Sequence, residues 1–263
     1  MPDMLALLSR WWKQVSLIVI LAILIAVTVC LLKPKLYKSQ TTAMPASAFA
    51  VDRSRVFSEN LQALYSTLGS PDDLDRLIGT AQLDTIYRAV VNKLDLVRYF
   101  DMENTGIKNR AATQKLKARS TVRKSAYGEL VVQVWDTDPV WSARMANEIV
   151  HVLQAVHQDL QNAGNESTLE GLVNGKNKLQ QDSISGGAEL KSRLEQYDKL
   201  IGQYQVLVDT RPPVLFVVEK AQAADRADKP EFLKTIVVTA FLAFLFGLLL
   251  ALILDNRSKT GRA

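Results

Sequence analysis

Two long apolar runs near the ends of the chain dominate its pattern of hydrophobic and polar positions. The run Thr235–Leu254 contains about 20 residues without an ionisable side chain, and the run Val15–Leu32 contains about 18. As a helix, either run is long enough to cross a hydrocarbon layer of roughly 30 Å. We therefore expect transmembrane helices at 15–32 and 235–254, joined by a single domain at 33–234.

Short alternating and helical patterns fill the region between the two runs. The predicted elements are a strand at Leu36–Met44, helices at Arg55–Leu68 and from Pro71 to Val97, a hairpin at Lys117–Trp135 and a buried strand at Val214–Val218. Strand-forming residues in alternation indicate the strands, whereas apolar residues three or four positions apart indicate the helices. These elements predict an α/β base built from residues 33–138 and 212–232.

A helical hairpin is predicted between the two parts of this base. Asp138-Pro139 is typical of a helix start, with an N-cap residue followed by proline at the first helical position. A weak break is predicted after it at Asn162–Asn165, and Ser185-Gly186-Gly187 is the strongest turn signal before a second helix at Ala188–Val208. We expect an arm at 139–208, with a free length of about 20 to 40 residues that reaches roughly 30–60 Å. The predicted fold class is α+β, with two transmembrane helices flanking an α/β base that carries a projecting helical hairpin.

The cations beside the apolar runs predict the orientation of the chain. Arg10 and Lys13 precede the first run, and Arg257, Lys259 and Arg262 follow the second. Basic residues next to a span favour the cytoplasmic side. We therefore expect a cytoplasmic N-terminus at 1–14, a cytoplasmic tail at 255–263 and a central domain in the periplasm of a bacterium, held at the inner membrane.

The first run also resembles a signal peptide in its basic start, but two features favour a retained anchor. The run is longer than the apolar part of a usual signal peptide, and Lys33-Pro34-Lys35 follows it where a small-residue cleavage site would lie. Trp11 and Trp12 stand where an interfacial aromatic belt would place them.

Removing the flanking charges makes the central domain almost neutral. The whole chain has a net charge of +5, but five of its 32 cations and two of its 27 anions lie outside the domain. Nucleic-acid-binding domains usually concentrate basic charge on one face, so a nucleic-acid partner is not expected. The single cysteine, Cys30, lies in the first apolar run and excludes an intrachain disulfide.

Catalytic and metal-binding patterns are missing from the sequence. His151 and His157 share a predicted helix, but a spacing of six residues places them about 240° apart around it. The segment Gly171–Lys176 lacks the spacing of a phosphate-binding loop. We predict that the chain is not an enzyme and has no catalytic, cofactor-binding or metal-binding residues.

Small residues recur every four positions along both apolar runs. They are Ala22, Ala26 and Cys30 in the first run, and Thr239, Ala243, Gly247 and Ala251 in the second. Small side chains let helices approach closely in lipid, where packing drives association. We predict a packing ridge, either between the two spans of one chain or between neighbouring chains.

Three stretches of the sequence resemble the Wzz family of polysaccharide chain-length determinants, also called polysaccharide co-polymerases. They are Leu36–Thr41 after the first run, the hairpin strand with Asp138-Pro139, Ala143, Ala146 and Asn147, and the segment Val217–Pro230. In the third stretch the family usually shows an alanine followed by prolines three apart. Ala221 and Pro230 fit that pattern, whereas Ala224 and Ala227 stand where two prolines are expected. The chain would be a short member of the family.

The resemblance implies a non-catalytic co-polymerase that regulates the chain length of a surface polysaccharide, such as O-antigen, made by a Wzy-type polymerase. The implied partners are further copies of the chain in a ring-like homo-oligomer, the polymerase, the nascent lipid-linked glycan and membrane lipid. An alternative is an adaptor for capsule or exopolysaccharide polymerisation and export that works with a separate tyrosine kinase. Other candidates are a two-span sensor or adaptor without a glycan role and a membrane-bound hydrolase, which would need a polar triad.

Overall fold

The computed structural model describes residues 4–46, 71–103, 107–182 and 188–260. Within these ranges the helices are α1 (Met4–Leu32), α2 (Pro71–Ala81), α3 (Asp84–Lys93), α4 (Leu96–Tyr99), α5 (Lys108–Ala118), α6 (Pro139–Asp182), α7 (Ala188–Thr210) and α8 (Phe232–Thr260). The strands are β1 (Leu36–Pro45), β2 (Ser120–Lys124), β3 (Leu130–Asp136), β4 (Leu215–Glu219) and β5 (Ala227–Lys229). The α+β class, with an apolar helix at each end and a central sheet, is confirmed.

The chain divides into two compact units. The membrane unit comprises Met1–Lys38, Asp136–Pro139 and Ala224–Ala263, and the sheet unit comprises Ser39–Trp135 and Val140–Ala223. In the membrane unit, α1 packs along α8. The start of β1 pairs there with β5, Leu36 opposite Lys229 and Tyr37 opposite Ala227. An ion pair of 3.2 Å between Lys38 Nζ and Asp228 Oδ1 joins the same two strands.

The two terminal helices have the length and exposure of membrane spans. Trp11–Leu32 and Phe232–Leu254 are long and apolar enough to cross a bilayer, and only 17% of each apolar window is buried. The core helix of a water-soluble domain would bury its apolar side chains, whereas Leu17, Leu21 and Phe241 are each more than half exposed. This exposure fits lipid as the surrounding medium, and the chain is a membrane protein with two spans.

The sheet unit is built on strands in the order β2-β3-β1-β4. β2 pairs antiparallel with β3 from Ser120 opposite Val134 to Lys124 opposite Leu130. β1 pairs antiparallel with β4, with a register shift between Thr42 and Ala43. The hairpin predicted at Lys117–Trp135 is therefore present as β2 and β3. The core lies against these strands, and its largest fully buried side chains include Leu74, Ile86, Leu96, Leu116, Leu130, Met145, Ile149 and Leu153.

The helix predicted from Pro71 to Val97 is wrong as a single element, because the chain forms α2, α3 and α4 in this stretch. Leu83 has extended backbone angles before α3, and Asp95 has a φ of 50° before α4. A left-handed residue cannot continue a right-handed helix. The apolar face is nevertheless used as expected, since Leu74 and Val90 are buried in the core. The helix predicted at 55–68 lies outside the described residues.

Two further corrections concern the ends of the sheet unit. β4 is the last strand in the sheet order, and only its Leu215 is buried, while Val218 is 53% exposed. It is therefore an exposed edge strand and not the buried strand that its apolar composition predicts. Helix α5 was not predicted, because most of its residues are charged or polar. Among its apolar residues, only Ala112 and Leu116 are buried. β5 was likewise not predicted.

The arm is formed by α6 and α7. The break predicted at Asn162–Asn165 is wrong, because α6 runs without interruption over 44 residues, or about 66 Å. Asn162 Nδ2 donates to Glu166 Oε1 at 2.6 Å along the helix surface, and Thr168 Oγ1 donates to the Gly164 carbonyl. A glycine costs only about 1 kcal/mol inside a helix, so local pairing and continued packing overcome it.

The first turns of α6 belong to the core, and its later turns pack against α7. Met145, Ile149 and Leu153 are fully buried, whereas Leu160 on the same stripe is 63% exposed. Further along, Gly175 lies against the ring of Tyr197, and Lys176 forms an ion pair with Asp198.

Candidate functional site

The small residues of the second span lie on its contact face with the first span. Ala243, Gly247 and Ala251 are buried, although α8 is otherwise largely exposed. A Cβ atom added at Gly247 would lie 3.1 Å from Val15 Cγ1 and 3.5 Å from Val15 Cα. This spacing shows that the backbone of α8 approaches α1 closely at Gly247, which a larger side chain would prevent.

The small residues of the first span face the same side. Ala26 and Cys30 are buried, and they line, together with Ala22 and Thr239, a groove of about 410 Å³ between the helices. The structure therefore brings the small residues of both spans together within one chain. Whether they are required for the association of the two helices stays a prediction.

A second constellation in the sheet unit was not predicted as a site. It consists of side chains and backbone groups from β1, α6 and the segment after β4, and we call it the polar seam. Its members are Ser39, Thr41, Ser142, Asn147, Ala221 and Gln222.

Asn147 is the central residue of the polar seam. Its Oδ1 accepts a hydrogen bond from the Ala221 backbone N–H at 2.9 Å and another from Thr41 Oγ1 at 2.8 Å. Its Nδ2 donates to the Ala221 carbonyl at 3.0 Å. The amide of Asn147 thus pairs with both backbone groups of Ala221, as a neighbouring strand would.

Serine hydroxyls form the second half of the seam. The hydroxyls of Ser39 and Ser142 lie 2.7 Å apart, and Ser39 Oγ donates to the Gln222 carbonyl at 2.8 Å. Ser39 and Ser142 are 2% and 0% exposed, so their hydrogen bonds replace water completely. Because a buried polar group without a partner costs about 1–3 kcal/mol, the seam favours one relative placement of its three segments.

The seam joins the three stretches that carry the family resemblance. Ser39 and Thr41 belong to the first stretch, Asn147 to the second, and Ala221 and Gln222 to the third. Sequence reasoning named Ser39, Thr41 and Asn147 only as parts of the resemblance. It did not predict that Ser39 and Thr41 are buried, because polar residues in a strand are ordinarily expected to face solvent. One available signal was that Ser39 and Thr41, two alternate positions on one face of β1, both belong to a stretch that resembles the family.

The two histidines do not form a metal site. His151 Nδ1 lies 3.2 Å from Lys93 Nζ and 3.6 Å from Glu148 Oε1, so its polar neighbours are one lysine and one glutamate. Across the described residues, no group of three or more histidine, cysteine, aspartate or glutamate side chains is arranged to hold a metal ion.

The solved structures to which this chain is similar include the following two. A full-length bacterial polysaccharide co-polymerase has a TM-score of 0.45 and 14% identity, and the match covers 98% of each chain. A fragment of WzzB, the polysaccharide co-polymerase from Salmonella Typhimurium, has a TM-score of 0.43 and 13% identity, over 74% of this chain and 100% of the fragment. Both are co-polymerases by description. No family model and no curated protein matches the sequence.

Proposed function

We propose that the chain is a non-catalytic co-polymerase of the bacterial inner membrane that regulates the chain length of a surface polysaccharide, O-antigen or a similar polymer made by a Wzy-type polymerase. The observation that carries this proposal is the polar seam. The three stretches that resemble the Wzz family are far apart in sequence, yet they meet through hydrogen bonds on the buried residues Ser39, Thr41 and Asn147.

The arrangement suits a scaffold. β1 follows the first span directly, α6 begins the arm, and the Ala221 segment precedes the second span, so the seam ties the start of the arm to both membrane-proximal segments. A continuous α6 then gives the arm a defined length. In this proposal, copies of the chain form a ring-like homo-oligomer beside the polymerase, and they act on the lipid-linked glycan by position rather than by chemistry.

Deletion of the gene and gel analysis of the surface polysaccharide test the function. We expect the modal length to be lost while polymer is still made, and complementation with the full chain to restore it. A polysaccharide ladder unchanged by deletion would contradict the proposal. Complete loss of polymer would also contradict it, because a length regulator modulates the polymerase and does not perform its reaction.

Substitutions on the arm test whether the action is positional. Tyr197→Ala removes the ring that packs against Gly175, and we expect it to destabilise the arm by about 2 kcal/mol, below the 3–5 kcal/mol of a fully buried ring, and to shift the length distribution. Tyr197→Phe keeps the ring and serves as the control.

Polar substitutions complete the same experiment. Asp182→Ala, Lys191→Ala and Glu195→Ala should shift the distribution slightly or leave it unchanged. If one of these substitutions eliminated length control at normal protein level and oligomer size, a discrete active or ligand site would replace the scaffold as the explanation, since loss of a catalytic group costs orders of magnitude in rate.

A further inference from the structure

A basic groove lies in the membrane unit, where α1 is followed by β1 and where β5 is followed by α8. We call it the juxtamembrane groove; it has a volume of about 610 Å³ and is lined by Lys33, Lys229, Glu231, Lys234, Val238 and Thr239, among others. This volume is in the range of small-molecule binding sites. Three ammonium groups and one carboxylate give the groove a net positive charge, even though Lys234 Nζ lies 3.2 Å from Glu231 Oε2.

The polarity of the groove changes along its length. Lys33, Thr235 and Thr239 also line the 410 Å³ groove that continues between the spans along Ala22, Ala26 and Cys30. The combined space therefore begins among lysines and continues along apolar and small side chains. A ligand that fills both parts must have an anionic head and a hydrocarbon chain.

The position of the lysines along the spans gives the depth of the charged end. Lys33 directly follows the first apolar run, and Lys234 directly precedes the second. Lysines at the ends of a span lie at the level of the lipid headgroups. The charged end of the groove thus lies where phosphate groups of the bilayer are concentrated, and the apolar end lies beside their acyl chains.

We propose that the juxtamembrane groove binds one anionic phospholipid of the surrounding bilayer, with its phosphate among Lys33, Lys229 and Lys234 and an acyl chain along Ala22 and Ala26. The net positive charge favours an anionic over a zwitterionic headgroup, because each lysine near the headgroups attracts anionic lipid. The bilayer supplies this ligand directly, since the groove lies between two helices that are otherwise exposed to lipid. This assignment depends on the two spans and not on the polysaccharide function.

Native mass spectrometry of the full-length chain in mild detergent tests the assignment, with dioleoyl phosphatidylglycerol and dioleoyl phosphatidylcholine as probes. We expect one phosphatidylglycerol per chain to bind at least tenfold more tightly than phosphatidylcholine. The double variant Lys33→Gln/Lys229→Gln should weaken phosphatidylglycerol binding roughly 30-fold, as expected for two lysine contacts. Thr235→Phe should also weaken it, because the added ring occupies the groove without changing its charge.

The matched control is Lys35→Gln/Lys191→Gln, which removes the same charge from lysines that do not line the groove. We expect it to retain wild-type affinity. Equal weakening by both double variants would overturn the assignment in favour of a general attraction to anionic lipid, as would equal binding of the two lipids. A polyprenyl diphosphate that displaced phosphatidylglycerol at equimolar concentration would also overturn it, because the groove would then select the diphosphate lipid. None of these outcomes alters the polysaccharide ladder that tests the proposed function.

Discussion

Asn147 illustrates how a single side chain can define the position of a backbone segment. Helix α6 presents its amide to Ala221, whose N–H and carbonyl it satisfies together, while Thr41 donates to the same oxygen. Ala221 is only 7% exposed, so water cannot readily replace a lost partner. Asparagine suits this position because its amide is both donor and acceptor.

Replacement of Asn147 by alanine tests this account. We expect Asn147→Ala to lower the free energy of unfolding by about 1–3 kcal/mol, because the Ala221 N–H, the Ala221 carbonyl and the Thr41 hydroxyl lose a partner. Thermal unfolding of the purified chain in detergent gives the measurement. Asn174→Ala on the exposed part of α6 is the control, and an equal, small effect of both substitutions would show that the seam does not stabilise the fold.

An exposed ion pair links α3 to α5 at the residue scale. Lys117 Nζ lies 2.6 Å from Asp84 Oδ1, and this hydrogen bond, together with the charge of Lys117, lowers the pKa of Asp84 below its ordinary value. Because the folded-state pKa is the lower one, the resulting stabilisation is present above the unfolded-state pKa. It is lost as the pH falls through the folded-state pKa.

We expect Lys117→Gln to raise the pKa of Asp84 toward its ordinary value. An NMR titration of the aspartate carboxyl carbons measures this directly, with Lys108→Gln on the same helix as the control. The pair would be shown to have no electrostatic effect if the pKa of Asp84 were the same in wild type and Lys117→Gln.

At the scale of elements, α1 and α8 illustrate close helix packing without a hydrophobic driving force. Lipid is as apolar as leucine, so the two spans associate only if their surfaces fit. Small residues at Ala26, Ala243 and Gly247 give each helix a shallow surface where the other approaches. Larger side chains such as Leu21 and Phe241 are more than half exposed.

Gly247→Leu tests this packing. The new side chain would overlap Val15, whose Cγ1 lies 3.1 Å from the position of an added Cβ. We expect a loss of about 1–3 kcal/mol of stability from overpacking, read as a lower unfolding temperature and a lower yield of oligomer in mild detergent. Val237→Leu, at a position 59% exposed, adds bulk away from α1 and should have no effect. If both variants behaved alike, the recurrence of small residues would be a matter of composition.

At the scale of the whole molecule, two spans require that both ends of the chain lie on one side of the membrane. The helices Trp11–Leu32 and Phe232–Leu254 supply those spans. The flanking cations favour a cytoplasmic location for both ends, and we therefore expect residues 33–234 on the opposite side of the membrane.

Reporter fusions test this topology. A reporter placed after Ala263 should show cytoplasmic activity, and one inserted between α6 and α7 should show periplasmic activity. Fusion after Lys13 is the control for the other terminus and should agree with the fusion after Ala263. Activity in the same compartment after Ala263 and in the arm would contradict two spans.

The sequence by itself determined the elements whose signals are long or local. Uninterrupted apolar runs predicted the two spans, strict alternation predicted the β2–β3 hairpin, and Asp138-Pro139 predicted the start of α6. Each of these signals depends only on the residues within its own segment, so the prediction needs no information about distant residues. The small residues of the spans were identified in the same way. The sequence did not determine whether they pack within one chain or between neighbouring chains.

Tertiary structure decided whatever depends on a partner far along the chain. Leu36–Met44 reads as an ordinary strand, but only the packing of α6 and the Ala221 segment explains why Ser39 and Thr41 are buried. β4 has the apolar composition of a buried strand, yet it lies at the edge of the sheet and its Val218 is exposed. In each case the tertiary contacts decide whether a residue is buried or exposed, and the local sequence pattern does not. Those contacts join segments that are far apart in the sequence, so the order of the residues does not reveal them.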